Sequence, residues 1–300
     1  MAEIEVNGTT IRYELEPTAA PAGSPPAPGA KPAAGEGERP AAHGVKLPAP
    51  GDTVVFLNGV MASYGSWRGM VPAFRKAGYR ILLHDFRGQL LSAKPKGPYR
   101  FSDHAADLLA LLRALGREKP HLVGTSYGGE VGMRFCADHP DAAASLTIID
   151  SVSELDPVLE GLVEGWITLL RGGDRKAFFR AAVPVLYSER FIRENRAMLR
   201  EREEGFAKLP DDYFTGQEIL YRTFLDDLPF TDDLPRIRVP SLVLCGTEDI
   251  LKPPKFSRII ADHIPGAEYL LVPGAGHVAI FEKERELVSA ILGFLGKHAA

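Results

Sequence analysis

Two cysteines, Cys136 and Cys245, are all the thiol chemistry in 300 residues. One falls in a helical pattern and one in an apolar strand pattern. That speaks against a disulfide-stapled scaffold and for two buried thiols in a reducing cytoplasm. No apolar run approaches the ~20 residues that a membrane span needs. Residues 1–8 carry no basic segment followed by an apolar one, so no Sec-type leader is expected and the expected location is cytoplasmic. Dense Lys/Arg runs are missing as well. Lys and Arg number 35 against 39 Asp and Glu, a net charge of -4, which argues against a nucleic-acid surface. There is no G-x-G-x-x-G ahead of a helix, so no dinucleotide is implied. The eight histidines include no pair at helical ligand spacing, and His84 and His104 stand alone. No metal set and no cofactor is expected. What remains is ordinary globular composition, 45% apolar and 25% charged, with chain enough for one large domain or a domain plus a lid.

Residues 3–16 alternate apolar and polar around Asn7-Gly8, the strongest short hairpin signal, and predict two antiparallel edge strands. Residues 17–51 differ in kind: nine Pro, ten Ala and six Gly leave almost nothing to bury, and a flexible surface insertion is expected. From Thr53 onward strands and helices alternate. Strand patterns lie at 53–57, 79–84, 121–123, 144–149, 240–245 and 268–272. Helical patterns lie at 66–77 and 102–115, the latter with Ser102 as a possible N-cap, and a last one runs over 282–295. Residues 152–235 break the alternation. They hold helical stretches at about 157–170, 174–187, 189–206 and 211–226, and no convincing strand.

The motif the rest is built around is Gly124-Thr125-Ser126-Tyr127-Gly128, set between the 121–123 strand and a following helical pattern. A sharp turn there lifts the Ser126 hydroxyl above the end of a sheet. The N–H of Tyr127, at the positive end of the next helix, then points at a developing oxyanion. A serine hydroxyl is protonated at neutral pH and needs a base, and the base needs a carboxylate to fix its tautomer. Asp249 and His277 each follow a predicted strand in a Gly-containing loop, and in a parallel sheet such strand ends share one edge. Asp150, at the end of the 144–149 strand, is the rival acid.

With G-x-S-x-G in a strand–turn–helix setting and Ser, Asp, His in that chain order, the sequence resembles the α/β-hydrolase superfamily over roughly residues 53–296. The resemblance implies a mostly parallel sheet flanked by helices, with an α-helical cap inserted after the sixth strand. It divides the chain into a hairpin of the core (1–16), the Pro/Ala/Gly-rich insertion (17–51), a first core part (52–151), the helical cap (152–235) and a second core part (236–300). It also implies a second oxyanion donor in the loop after Leu57. Here Asn58 replaces the usual His, and the N–H of Val60 is the candidate, with Met61 as neighbour. Asp85-Phe86-Arg87-Gly88 resembles a family loop from which Leu90 departs; a structural Asp85–Arg87 salt bridge is expected there. Cap residues such as Trp166, Phe178, Phe179, Leu186, Tyr187, Phe206, Tyr213 and Phe214 should pack the cap and in part roof an apolar acyl pocket.

These features point to cofactor-free chemistry on a small-molecule acyl substrate. Ser126 attacks the carbonyl, Tyr127 and Val60 hold the oxyanion, and His277, oriented by Asp249, moves the proton. Hydrolysis of a carboxylic ester, thioester or lactone is the first expectation. Acyl transfer from a 3-hydroxyacyl thioester is the alternative, suggested by a looser resemblance to carrier-protein transacylases through Asn58-Gly59 and Ser92-Ala93-Lys94-Pro95. A ligand receptor or signalling protein on the same fold is the third.

Overall fold

A single eight-stranded sheet carries the molecule in the computed structural model, which describes residues 1–16, 53–117 and 119–298. The interval expected to be a flexible insertion, 17–51, lies outside the described residues. Strands β1 (Ala2–Val6) and β2 (Thr9–Glu16) form the expected hairpin. Asn7 and Gly8 both take positive φ, 48° and 71°, as a two-residue I′ turn demands. The remaining strands are β3 (Thr53–Leu57), β4 (Arg80–His84), β5 (His121–Thr125), β6 (Ser145–Ile149), β7 (Ser241–Gly246) and β8 (Glu268–Val272). Their spatial order is β1-β2-β4-β3-β5-β6-β7-β8. β2 meets β4 antiparallel, and every pairing from β4 to β8 is parallel.

Helices cover both faces, which is why β3 to β7 read as continuous apolar runs. Alternate residues feed two cores: Val55 and Leu57 of β3 join one, Val54 and Phe56 the other. The second core is closed by α1 (Val71–Lys76) and by α10 (Ala279–Glu282) and α11 (Glu284–Lys297) near the C-terminus. The first is closed by α2 (Phe101–Ala114), α3 (Tyr127–Asp138) and α9 (Pro254–His263). Between β6 and β7 the chain leaves the sheet for α4 (Pro157–Arg171), α5 (Arg175–Leu186), α6 (Glu189–Glu194), α7 (Arg196–Ala207) and α8 (Asp211–Asp226). No described helix is long and apolar enough to cross a membrane.

Three local expectations need correcting. The single helix expected over 66–77 is a 3-10 turn (Tyr64–Trp67) followed by α1, because Pro72 is tolerated only in a helix's first turn. The start of α2 is capped in trans: Phe101 N–H donates to Asp227 Oδ2 at 2.7 Å, and Ser102 lies inside the helix. The stretch 189–206 breaks at Asn195, whose Nδ2 donates to Phe191 O at 2.9 Å and competes with the helical ladder. The last helix, expected over 282–295, is α11, and the short α10 precedes it.

Candidate active site

Ser126 joins β5 to α3 with φ 51° and ψ -123°, a conformation that L-residues avoid and that only the surrounding structure can enforce. The enforcement is visible. Ser126 N–H donates to Ile149 O at 2.8 Å, and Ser126 O accepts from Gly129 N–H and from Ser151 Oγ at 2.8 and 2.9 Å. A Cβ on Gly128 would sit 2.1 Å from Leu57 O, so no larger residue allows α3 to start this close to β3. Tyr127 is the first helical residue, and first-turn N–H groups have no intrahelical acceptor. Its side chain is anchored away from the cavity, with Oη 2.8 Å from His104 Nε2 in a fully buried cluster with Phe86 and Phe101.

His277 and Asp249 come together because the loops after β7 and β8 are stitched to each other. Glu248 N–H donates to Ala275 O, Thr247 N–H to Val272 O, and Gly274 N–H to Thr247 Oγ1, at 2.8, 3.1 and 2.9 Å. His277 Nδ1 lies 2.8 Å from Asp249 Oδ2, and its Nε2 lies 3.0 Å from Ser126 Oγ. The arrangement reads as Nδ1–H donating to the carboxylate and the serine hydroxyl donating to Nε2. Asp249 Oδ1 also accepts the N–H groups of Leu251 and Lys252 at 2.9 and 2.8 Å, so its carboxylate cannot swing. Outside the site, burial alone lowers His84 to about 4, and burial with nearby positive charge lowers His104 to about 3.

Asp150 does not reach His277 by hydrogen bond. Its Oδ1 accepts Gly246 N–H at 2.8 Å and its Oδ2 has no partner among the described residues. Burial, reinforced by the neighbouring Asp249, pushes its pKa well above the ordinary carboxylate range, which favours its neutral form. Asp150, Cys245 and Asp249 place donor atoms within 4.8 Å of one another, a grouping that sequence spacing does not reveal. Burial holds the first two in their protonated forms, and Asp249 is already saturated by two N–H groups and His277.

The loop after β3 forms a turn closed by Ala62 N–H to Gly59 O at 3.1 Å, leaving Val60 and Met61 at its centre beside Ser126. Gly59 is the point of contact: a Cβ there would lie 3.5 Å from Ser126 Cβ. Asn58, fully buried, explains why the loop holds this shape. Its Nδ2 donates to His84 O, Asp85 Oδ1 and Gln89 Oε1 at 2.8, 3.1 and 3.0 Å, and its Oδ1 accepts Trp67 Nε1–H at 2.9 Å. Gln89 Nε2 in turn donates to Gly59 O at 2.8 Å. The expected Asp85–Arg87 bridge is not made. Asp85 accepts the N–H groups of Tyr64 and Leu91, while Arg87 pairs with Asp107 at 2.6 and 2.7 Å, because α2 presents a carboxylate to it and Asp85 is enclosed by Asn58 and the backbone.

Ser126 and His277 open into a cavity of about 450 Å³, within the range of small-molecule sites. Of the helical-insertion residues singled out from sequence, Trp166, Phe179, Leu186, Tyr187 and Phe206 line it; Phe178, Tyr213 and Phe214 pack among the helices instead. Sequence reasoning passed over a buried ion pair at its wall. Lys252 Nζ lies 2.9 and 3.1 Å from the Glu130 carboxylate and 4.4 Å from the centre of the Phe224 ring. Glu130 is fully buried on α3 and also accepts Val152 N–H at 2.8 Å. A lone carboxylate inside Gly128-Gly129-Glu130-Val131-Gly132 is the signal that could have found it.

A family model described as alpha/beta hydrolase fold matches residues 52–284. A protein named carbamate hydrolase RutD from Caulobacter sp. strain K31 is 29% identical over 253 residues, covering 83% of this chain and 92% of its own length. A protein named non-heme bromoperoxidase BpoC from Mycobacterium tuberculosis H37Rv is 29% identical over 262 residues, 81% of this chain and 94% of its own. Among solved structures, MGS-M2, an alpha/beta hydrolase enzyme from a Medee basin deep-sea metagenome library, matches with a TM-score of 0.84 at 24% identity over 98% of this chain and 97% of that one. The enol-lactonase from Burkholderia xenovorans LB400 matches with a TM-score of 0.78 at 23% identity over 98% and 99%.

Proposed function

This chain belongs to the alpha/beta hydrolase fold family, and from that premise we propose that it is a cofactor-free serine hydrolase cleaving a carboxylic ester, thioester or lactone of an apolar acid. The observation that carries the reading is the chain Ser126–His277–Asp249 at 3.0 and 2.8 Å, opening into an apolar cavity. Ser126 Oγ forms a bond to the acyl carbon as its proton passes to His277 Nε2. The N–H groups of Tyr127 and Val60 receive the developing oxyanion, a contribution of roughly 10²–10³ in rate per donor. The carbon–heteroatom bond then breaks, and His277 returns the proton to the leaving group. Water enters, loses a proton to the same nitrogen as it adds to the acyl carbon, and the acid is released as the bond to Ser126 Oγ breaks and His277 returns that proton to Oγ. Asp249 keeps Nδ1 protonated and stabilises the imidazolium throughout.

The helices α4 to α8 act in this reading as a cap whose apolar residues select the acyl group. The relatives named for carbamate hydrolysis, like the enol-lactonase, are compatible with attack of a serine on a carboxyl-level carbon. Two buried, free thiols suit a reducing cytoplasm.

A p-nitrophenyl ester series from acetate to laurate tests the assignment. We expect turnover, with kcat/KM highest between butyrate and octanoate and falling toward laurate as the chain outgrows the cavity. Release of p-nitrophenol only when a thiol or hydroxy-acid acceptor is supplied would replace hydrolysis by acyl transfer. No release from any ester, with or without acceptor, would contradict the reading.

A further inference from the structure

The cavity above Ser126 carries an unbalanced charge. Among the described residues no Asp or Glu lines it, yet two cations do, Lys252 and Arg202. Lys252 is neutralised by Glu130 at 2.9 Å. Arg202, on α7, has no carboxylate within ion-pair reach among the described residues. Glu201, beside it on α7, is exposed and makes no ion pair among the described residues, and three other nearby acids are engaged elsewhere. Glu203 pairs with Arg180 and Glu204 with Lys176, while Glu282, whose charge reaches Tyr187, accepts the N–H and hydroxyl of Ser188.

Arg202 is nevertheless held in place. One terminal N–H group donates to Tyr187 Oη at 2.9 Å, and the guanidinium lies 4.8 Å from the centre of the Phe281 ring. Both rings line the same cavity. A guanidinium has five N–H donors in a rigid fork that matches a carboxylate two bonds at a time, and among the described residues only one side-chain acceptor takes any of them. Arg202 is exposed, so its guanidinium pays no full desolvation cost and stays reachable from solvent while lining the cavity.

We propose that Arg202 is a specificity-determining residue that receives a carboxylate on the substrate, remote from the scissile carbonyl. The substrate class is then a half-ester of an apolar dicarboxylic acid, with the ester carbonyl at Ser126 and the free carboxylate at Arg202. This rests on the serine-hydrolase reading for the position of the scissile bond. The arginine's role as a carboxylate receptor is separable from it.

The test compares p-nitrophenyl half-esters of succinate, glutarate, adipate and suberate with neutral p-nitrophenyl esters of matched length, in wild type, Arg202→Gln and Arg202→Lys. In wild type, kcat/KM for the best half-ester exceeds that of its neutral partner. In Arg202→Gln this anionic-to-neutral ratio falls about 10- to 100-fold, and Arg202→Lys restores part of it. A ratio near unity in wild type at every length, or one unmoved by Arg202→Gln, overturns the proposal. If no ester is turned over, the hydrolase reading fails on its own. Calorimetry of free glutarate, adipate and suberate then decides the arginine's role. Binding to wild type that Arg202→Gln weakens at least tenfold sustains it, and equal or absent binding refutes it.

Discussion

Asp249→Asn is expected to lower kcat by about 10⁴-fold, while Asp150→Asn costs less than roughly tenfold. Both residues are buried carboxyls at strand ends on one edge of the sheet, so the contrast isolates role from location. Asp249 holds His277 Nδ1 at 2.8 Å through Oδ2. Asn would offer an N–H where the carboxylate stood. The imidazole would turn to the tautomer with its proton on Nε2, the atom that must accept from Ser126. Burial and the neighbouring Asp249 push the Asp150 carboxyl well above the ordinary carboxylate range, toward its neutral form. Asn has the same shape and the same charge, and its Oδ1 still accepts Gly246 N–H. Steady-state kinetics on the best p-nitrophenyl ester decide the matter. A larger loss at 150 than at 249 would transfer the orienting role to Asp150.

The second large effect is on stability. Glu130→Ala removes the counter-charge of Lys252 and the acceptor of Val152 N–H in one step. An ammonium left buried and unpaired costs about 3–5 kcal/mol, a fall in Tm on the order of 10 °C for a chain of this size. Replacing both partners, Glu130→Gln with Lys252→Met, should recover most of the loss. Gln keeps the acceptor for Val152, and Met keeps a favourable contact over the Phe224 ring, where Lys252 Nζ now lies at 4.4 Å. Chemical denaturation of the single and double variants measures this. A cost under about 1 kcal/mol for Glu130→Ala would mean that the pair carries no charge in the folded protein. The pair also bears on the site itself, since Lys252 N–H and Leu251 N–H fix the Asp249 carboxylate.

Local signals carried the sheet. The Asn7-Gly8 turn, the apolar runs of β3 to β7 and the Gly-flanked Ser126 each encode their geometry within a few residues. Chain order then placed Asp249 and His277 on the same edge, and the structure puts the two side chains and Ser126 within hydrogen-bond distance. What was not legible depends on partners far away in sequence. Asp85 and Arg87 are two apart and look like a pair, yet α2 supplies Asp107 to the arginine, and Asn58 with the Tyr64 N–H takes the aspartate. The start of α2 reads as a Ser102 cap because nothing local shows that Asp227, 126 residues away from Phe101, fills it. Asn58 was noticed only as a departure from a family pattern. Its two N–H groups, shared among three acceptors, and one accepted bond show it to be the keystone of the turn beside Ser126. Glu130 escapes sequence reasoning because a single charge in a Gly/apolar stretch has no periodicity to betray it, whereas Arg202 lies in the charge-rich stretch 193–204, which reads as a solvated helix face until the fold sets it at the cavity.

The account stands on Ser126 as the atom that takes the acyl group. Intact and peptide mass spectrometry after treatment with an alkyl fluorophosphonate tests this most directly, with Ser126→Ala treated in parallel. We predict one phosphonyl adduct per chain, on the peptide containing Ser126, formed as ester hydrolysis is lost, and no adduct on Ser126→Ala. An adduct on another residue, or ester turnover that persists after Ser126 is blocked or removed, would contradict it.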